Sequence, residues 1–168
     1  MRIYLVGFMG SGKSTFGREL ASRLGFSFYD LDSIFEDSRG TTIARFIEGN
    51  GEDKFRELES ALLRGYDWGK NIVIAAGGGT PCFHDNMNYM KQTGQVIYLE
   101  LSEEVLFRRL VSLKEERPLL KEAKNEVELR ALIHSLLSKR EKIYRQAHII
   151  CAGEALQASE VINRLHLR

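Results

Sequence analysis

Short, nearly uninterrupted apolar runs alternate along the chain with longer segments of three-and-four spacing. Ile3-Tyr4-Leu5-Val6, Phe26-Ser27-Phe28-Tyr29, Ile72–Ala76, Gln95–Leu99 and Ala147–Cys151 have the length and the β-branched and aromatic content of strands. The third run is apolar throughout, as a strand covered on both faces of a parallel sheet must be. Between the runs, Phe16, Leu20 and Leu24 recur every four residues around Arg18, Glu19 and Arg23, which predicts an amphipathic helix with Gly25 as its C-cap. Residues 33–63 read as helical, broken near Arg39-Gly40 and again at Gly49-Asn50-Gly51. Ser102 is a good N-cap for a helix running to about Leu113. Asn125 and Glu128 have capping-box spacing at the start of a long helix, and Leu156, Ile162 and Leu165 mark a last one. Strands interleaved with helices predict an α/β three-layer sandwich on a five-stranded parallel sheet with right-handed crossovers, one domain spanning 1–168.

In such a sheet, ligands bind beyond the carboxyl ends of the strands. Three stretches are therefore expected to face one crevice: the loop after the first strand, Asp30-Leu31-Asp32 after the second, and Gly77-Gly78-Gly79 after the third. The first of these, Gly7-Phe8-Met9-Gly10-Ser11-Gly12-Lys13-Ser14, reads G-x-x-x-x-G-K-S between a strand and a helix. A triphosphate needs backbone N–H groups at close range, and glycines leave room for them. The following helix adds partial positive charge at its N-terminus. Lys13 is placed to reach the β- and γ-phosphates, and the Ser14 hydroxyl to ligate Mg²⁺. The chain is expected to bind a nucleoside triphosphate.

Composition narrows the classes. The 168 residues are 43% hydrophobic and 28% charged, with a net charge of +1, which signals neither a nucleic-acid partner nor a membrane surface. The first apolar run is short and interrupted by glycines and Lys13, so no signal peptide is expected, and no window suits a membrane span. Cys82 and Cys151 show no metal spacing and are expected to be reduced, in a cytoplasmic protein.

Several residues admit two readings. Asp30 and Asp32, two apart on an extended backbone, would share a face, one serving Mg²⁺ through water and the other an acceptor hydroxyl. Equally, Asp32 is a fair helix N-cap. Arg56 and Glu59 at i,i+3 form either a surface pair or an arginine steadied to clamp an anion. The triple glycine exceeds what a simple turn needs and favours backbone exposed beside a ligand. Arg117-Pro118-Leu119-Leu120 is either a lid bringing charge to the phosphates or a solvated connection. Arg140 and Arg145 flank Tyr144 on the long helix, where most arginines are solvated. The four histidines have no ligand spacing.

Taken together, these segments resemble the shikimate kinases. The similarity covers nearly the whole chain: the loop at 7–14, Asp-Leu-Asp at 30–32, Gly-Glu-x-x-Phe-Arg-x-x-Glu at 51–59, the glycines at 77–79, Arg-Pro-Leu-Leu at 117–120, and Arg140 followed by Tyr144. The phosphate loop is superfamily-wide; the combination of the others is far more specific. The resemblance implies a P-loop kinase fold with a substrate-binding helical segment at about 33–63 and a mobile lid at about 112–124. It implies transfer of the γ-phosphoryl of ATP to the 3-hydroxyl of shikimate, a step toward chorismate and the aromatic amino acids, by a monomer. Asp32 would hold the hydroxyl and act as base; Arg56 and Arg140 would grip the carboxylate, joined by backbone at Gly78 and Gly79. Gly10, Ser11, Gly12, Lys13, Ser14 and Thr15 would cradle ATP. Lys13 and Arg117 would stabilise phosphoryl charge, Arg109 would lie against adenine, and Ser14 would ligate Mg²⁺ with Asp30 acting through water. Cys151-Ala152-Gly153 departs from the more usual acidic-and-threonine ending, which leaves the second wall of the adenine pocket unassigned.

Rival readings fit less well. Asp37-Ser38-Arg39-Gly40 spells the D-x-x-G of a GTPase switch, but it lies in a helical stretch and no Asn-Lys-x-Asp accompanies it. A motor or transport ATPase needs an acidic residue after a buried strand, where this chain has glycine. A gluconate-type kinase would lack the arginine pair and Arg-Pro-Leu-Leu.

Overall fold

A computed structural model of the chain describes residues 1–113 and 120–165. Its centre is a five-stranded sheet, every pairing parallel, formed by β1 (Arg2–Val6), β2 (Ser27–Asp30), β3 (Ile72–Ala75), β4 (Gln95–Glu100) and β5 (Ile149–Ala152) in the order β2-β3-β1-β4-β5. The helices are α1 (Lys13–Leu24), α2 (Leu31–Arg39), α3 (Ile43–Asn50), α4 (Glu52–Gly65), α5 (Asn86–Thr93), α6 (Glu103–Val111), α7 (Glu126–Tyr144) and α8 (Ala158–Arg164). The chain leaves β1 for β2 on one side and reaches β4 on the other, so connections diverge around β1. The crevice this creates lies at the carboxyl ends of β1 and β3.

Two apolar clusters fill the layers on either face of the sheet. Val73, Leu5, Ile3 and Ile97 meet Phe16, Leu20 and Ala21 of α1 and Val161 of α8 on one side. Tyr4, Ile74, Val96 and Tyr98 meet Leu106 and Leu110 of α6, Ile133 and Tyr144 of α7, and Trp68 on the other. Strict side-chain alternation explains the sorting: neighbours along β1 and β3 point to opposite layers, and both layers are apolar.

Local chemistry sets the element ends. The breaks at Gly40 and at Gly49–Gly51 separate α2, α3 and α4, and Gly40 adopts φ 62 as an αL cap. Ser102 Oγ accepts from Val105 N at 3.3 Å to open α6, which ends at Val111, short of Leu113. Asn125 Oδ1 accepts from Glu128 N at 2.9 Å, while the Glu128 carboxylate accepts from Lys124 N at 2.7 Å, one residue before the cap itself. The fifth strand starts at Ile149, two residues later than its apolar run suggests. One expectation is corrected. Asp30, not Asp32, caps α2, accepting from Asp32 N at 3.1 Å and Ser33 N at 3.4 Å. The helix begins at Leu31, so the two aspartates do not share the face of an extended strand; Asp32 stands in the first helical turn.

Candidate active site

Phosphate-loop geometry follows from β1 ending at Val6 and α1 starting at Lys13. Gly12 takes φ 91, a left-handed conformation in which a side chain would be strained, and so turns the loop into the helix. The Lys13 ammonium is buried across the loop and donates to the Gly7 and Phe8 carbonyls, each at 2.9 Å. Ser14 Oγ donates to Asp30 Oδ2 at 2.5 Å. The Asp30 carboxylate thus caps α2 with one oxygen and holds the loop serine with the other. Among the described residues no group of three or more His, Cys, Asp or Glu side chains could hold a metal by itself. A hydroxyl beside a carboxylate does fit Mg²⁺, which takes one or two oxygen ligands from a protein and fills the rest with water and phosphate. A cavity of about 410 Å³ opens here, lined by Gly10, Gly12, Lys13, Ser14, Thr15, Asp30 and Asp32 among others. Ser11 is buried within the same loop. Arg109, on α6, donates to Gly10 O at 3.2 Å and pairs with Glu154 at 3.6 Å, which sets it beside the loop.

A second cavity, about 400 Å³, adjoins the first and shares Met9, Asp32, Glu36, Gly77 and Gly78 with it. Its charged lining includes Arg56 and Arg140, both buried although they come from α4 and α7. Arg56 Nη1 donates to Glu59 Oε2 at 2.9 Å, and Nε and Nη2 each lie 3.3 Å from Glu52 Oε1. Its guanidinium carbon stands 4.9 Å from the Phe55 ring centre and 4.5 Å from that of Phe83. Arg140 differs: its Nη1 is buried and, among the described residues, has no hydrogen-bond partner. A buried cationic donor in that condition calls for an anion.

The glycines at 77–79 are explained by crowding. A β-carbon at Gly79 would stand 2.7 Å from Arg56 Cζ, and one at Gly77 would stand 2.7 Å from Asp32 Oδ1. Only bare backbone lets Arg56 and Asp32 lie against this turn. The Tyr144 hydroxyl donates to Gly78 O at 2.5 Å and fastens the turn to α7; burial pushes this phenol well above its ordinary range. The Cys82 thiol nearby is also pushed up by burial, with the charges of Arg140 and Arg56 opposing.

Lys13, Ser14, Thr15, Gly10, Gly12, Asp30, Asp32, Arg56, Gly78, Gly79 and Arg140 thus meet at the two adjoining cavities. Arg117 and the central part of the expected lid at 112–124, residues 114–119, lie outside the described residues. Some lining residues escaped the motif reading. Glu36 borders both cavities and its Oε1 accepts from Ile43 N at 2.9 Å, tying α2 to the start of α3. Thr42, Ile43, Ala44 and Ile47 wall the second cavity. Glu52, at i−4 from Arg56, was legible as a helical pair; Phe83, distant in sequence, carried no signal.

Comparison with known proteins finds similarity along nearly the whole chain. The family model described as shikimate kinase matches residues 9–167. A shikimate kinase of Bacteroides thetaiotaomicron is 41% identical over 157 residues, covering 94% of this chain and 89% of that one. The 1.7 Å crystal structure of shikimate kinase from that organism superposes with a TM-score of 0.84 at 37% identity, covering 98% of this chain and 95% of the other. Shikimate kinase from Acinetobacter baumannii, solved in complex with shikimate, gives a TM-score of 0.85 at 35% identity over 97% of this chain and 89% of that one. With a family match over residues 9–167, a P-loop kinase sheet and two adjoining cavities at its switch point, this chain belongs to the shikimate kinase family.

Proposed function

We propose that the protein transfers the γ-phosphoryl group of ATP to the 3-hydroxyl of shikimate, with each cavity serving one substrate. One observation supports this above the rest: two cavities meet at Asp32, one ringed by the phosphate loop and the other holding the buried Arg56 and Arg140. Shikimate carries one carboxylate and three hydroxyls. Its carboxylate suits the arginine pair, with Arg140 Nη1 the donor still unmatched, and the Gly78–Gly79 backbone alongside. The 3-hydroxyl would then face Asp32 at the boundary between the cavities. As the hydroxyl oxygen bonds to the γ-phosphorus, the bond from that phosphorus to the β–γ bridging oxygen breaks, and Asp32 takes the hydroxyl proton.

Phosphoryl transfer asks the protein for positioning and charge stabilisation more than covalent chemistry. Lys13, released from the Gly7 and Phe8 carbonyls or sharing them, supplies one positive charge at the β/γ end. Ser14 and, through water, Asp30 would hold Mg²⁺, whose role is to neutralise charge on the phosphate oxygens. Arg109 would flank the adenine from the loop's outer side. As part of the same reading the enzyme acts as a monomer in the cytoplasm, where ATP is supplied.

The test is coupled ADP release with ATP, Mg²⁺ and shikimate. Turnover of about 1–100 s⁻¹ is expected, with Asp32→Asn lowering kcat far more than it changes KM. Faster phosphorylation of gluconate or another hydroxy acid would overturn the substrate assignment.

A further inference from the structure

The anchoring of Arg56 leads beyond the motif residues. Its two carboxylate partners are unequal: the Glu52 side chain is 43% exposed, whereas that of Glu59 is 2% exposed. A solvated ion pair restrains little, so the buried partner decides where the guanidinium stands. A buried carboxylate cannot itself be left half-satisfied. Glu59 gives one oxygen to Arg56 and the other, Oε1, to the Thr80 hydroxyl at 2.5 Å.

Thr80 is completely buried, directly after the glycine turn, with its N–H on Gly77 O at 3.1 Å. Its own carbonyl accepts from Asn86 Nδ2 at 2.9 Å, and Asn86 Oδ1 accepts from Ser60 Oγ at 2.9 Å. Ser60 is the residue after Glu59 on α4. The hydrogen bonds therefore close a ring that leaves α4 at Glu59, crosses Thr80 and Asn86, and returns at Ser60. Every side chain in that ring is buried.

We infer that Thr80 is a positioning residue: its hydroxyl fixes the Glu59 carboxylate and, through it, the fork of Arg56 that receives the substrate carboxylate. The inference rests on the assignment of Arg56 made above. It also explains why the glycine turn and the arginine keep register. Thr80 carries both, its backbone holding Gly77 and its side chain holding Glu59. A threonine serving only to fill the core would stabilise the fold and leave substrate affinity alone.

Four variants separate these cases: Thr80→Val, which keeps shape and removes the hydroxyl; Thr80→Ser, which keeps the hydroxyl; Arg56→Ala; and the Thr80→Val/Arg56→Ala double variant. Thr80→Val should raise KM for shikimate about tenfold, the size expected for a lost hydrogen bond to a charged group, with kcat and KM for ATP within about twofold. Thr80→Ser should return KM to near the wild-type value. The double variant should be no worse than Arg56→Ala, because the hydroxyl acts through that arginine. If Arg56→Ala raises KM while Thr80→Val does not, the positioning role is overturned and the Arg56 assignment stands. Additive effects, or a failure of serine to rescue, overturn it as well. If Arg56→Ala leaves KM unchanged, the arginine assignment falls and the inference with it. Should Thr80→Val not fold, judged by circular dichroism, Thr80→Ala supplies the same KM-against-kcat comparison.

Discussion

Arg140 and Arg56 are both buried and both line the second cavity, yet they stand in opposite energetic positions. Arg56 is satisfied by Glu59, Glu52 and two aromatic faces, whereas Arg140 keeps a buried Nη1 without a partner among the described residues. Removing one member of a buried pair strands the other, at a cost of about 3 kcal/mol. Removing Arg140 strands no ion-paired carboxylate among the described residues: its Nη1 is unmatched, and its neighbours are the Tyr144 phenol and the Phe8 ring, against which a methylene chain can pack. Arg56→Met should therefore lower Tm of the ligand-free protein by several degrees, while Arg140→Met should leave it unchanged or raise it. Both should weaken shikimate binding. Thermal unfolding beside KM for each variant checks this, and equal destabilisation by the two substitutions would refute it. Spacing alone leaves both arginines open to a solvated reading; it is the resemblance to the shikimate kinases that nominates them, through Gly-Glu-x-x-Phe-Arg-x-x-Glu at 51–59 and Arg140 followed by Tyr144. It could not reveal their different partners. Thr80 lies 21 residues from Glu59, and their hydrogen bond exists only because α4 packs on the turn after β3. Asp30 and Asp32 show a related limit: both are good capping residues, and only the folded chain shows which one caps α2 and which borders both cavities.

At the scale of elements, the strands were readable because burial in a parallel sheet demands short apolar runs, and the observed β-strands fall within two residues of them. The segment after β3 was not readable. The 3₁₀ turn Thr80–Cys82 and α5 turn their polar Thr80 and Asn86 inward, and His84 and Asp85 precede α5 at positive φ with no side-chain cap. Inward polar groups erase the periodicity that announces a helix. The entry to β5 carries a different device. His148 and Val96 exchange two hydrogen bonds, His148 N donating to Val96 O at 3.0 Å and Val96 N donating to His148 Nδ1 at 3.0 Å. The ring nitrogen must be unprotonated to accept, and burial, with help from Lys91, lowers this histidine below its ordinary value of 6.5. A depressed pKa means that the unfolded chain binds the proton more readily. The contribution is thus present above the unfolded value, near pH 6.5, and is lost as pH falls through the lower folded value. His148→Asn, whose amide oxygen can accept without titrating, should flatten the fall of Tm between about pH 7 and pH 5. An unchanged slope would show that this junction does not sense pH.

For the whole molecule, the sheet order places β1 and β3 side by side at the floor of both cavities, while one wall of the second cavity comes from α3. None of the α3 residues is buried, yet Ile43, Ala44 and Ile47 line the second cavity. A small acid seated there would bury them and supply contacts the ligand-free fold lacks. Binding to the native state alone stabilises by about 2.7 kcal/mol at a concentration 100 times Kd, which for a domain of this size is about 5–10 °C in Tm. Shikimate and Mg²⁺–ADP should each give such a shift, because each cavity has its own cationic groups, Arg56 and Arg140 in one and Lys13 in the other. Their separateness can be read in a single variant. Arg140 lines the second cavity but not the first, so Arg140→Met should abolish the shift from shikimate and keep that from Mg²⁺–ADP. Loss of both shifts would mean that the cavities are one coupled site in which Arg140 supports nucleotide as well. Retention of both would mean that the unmatched guanidinium is not where the acid binds.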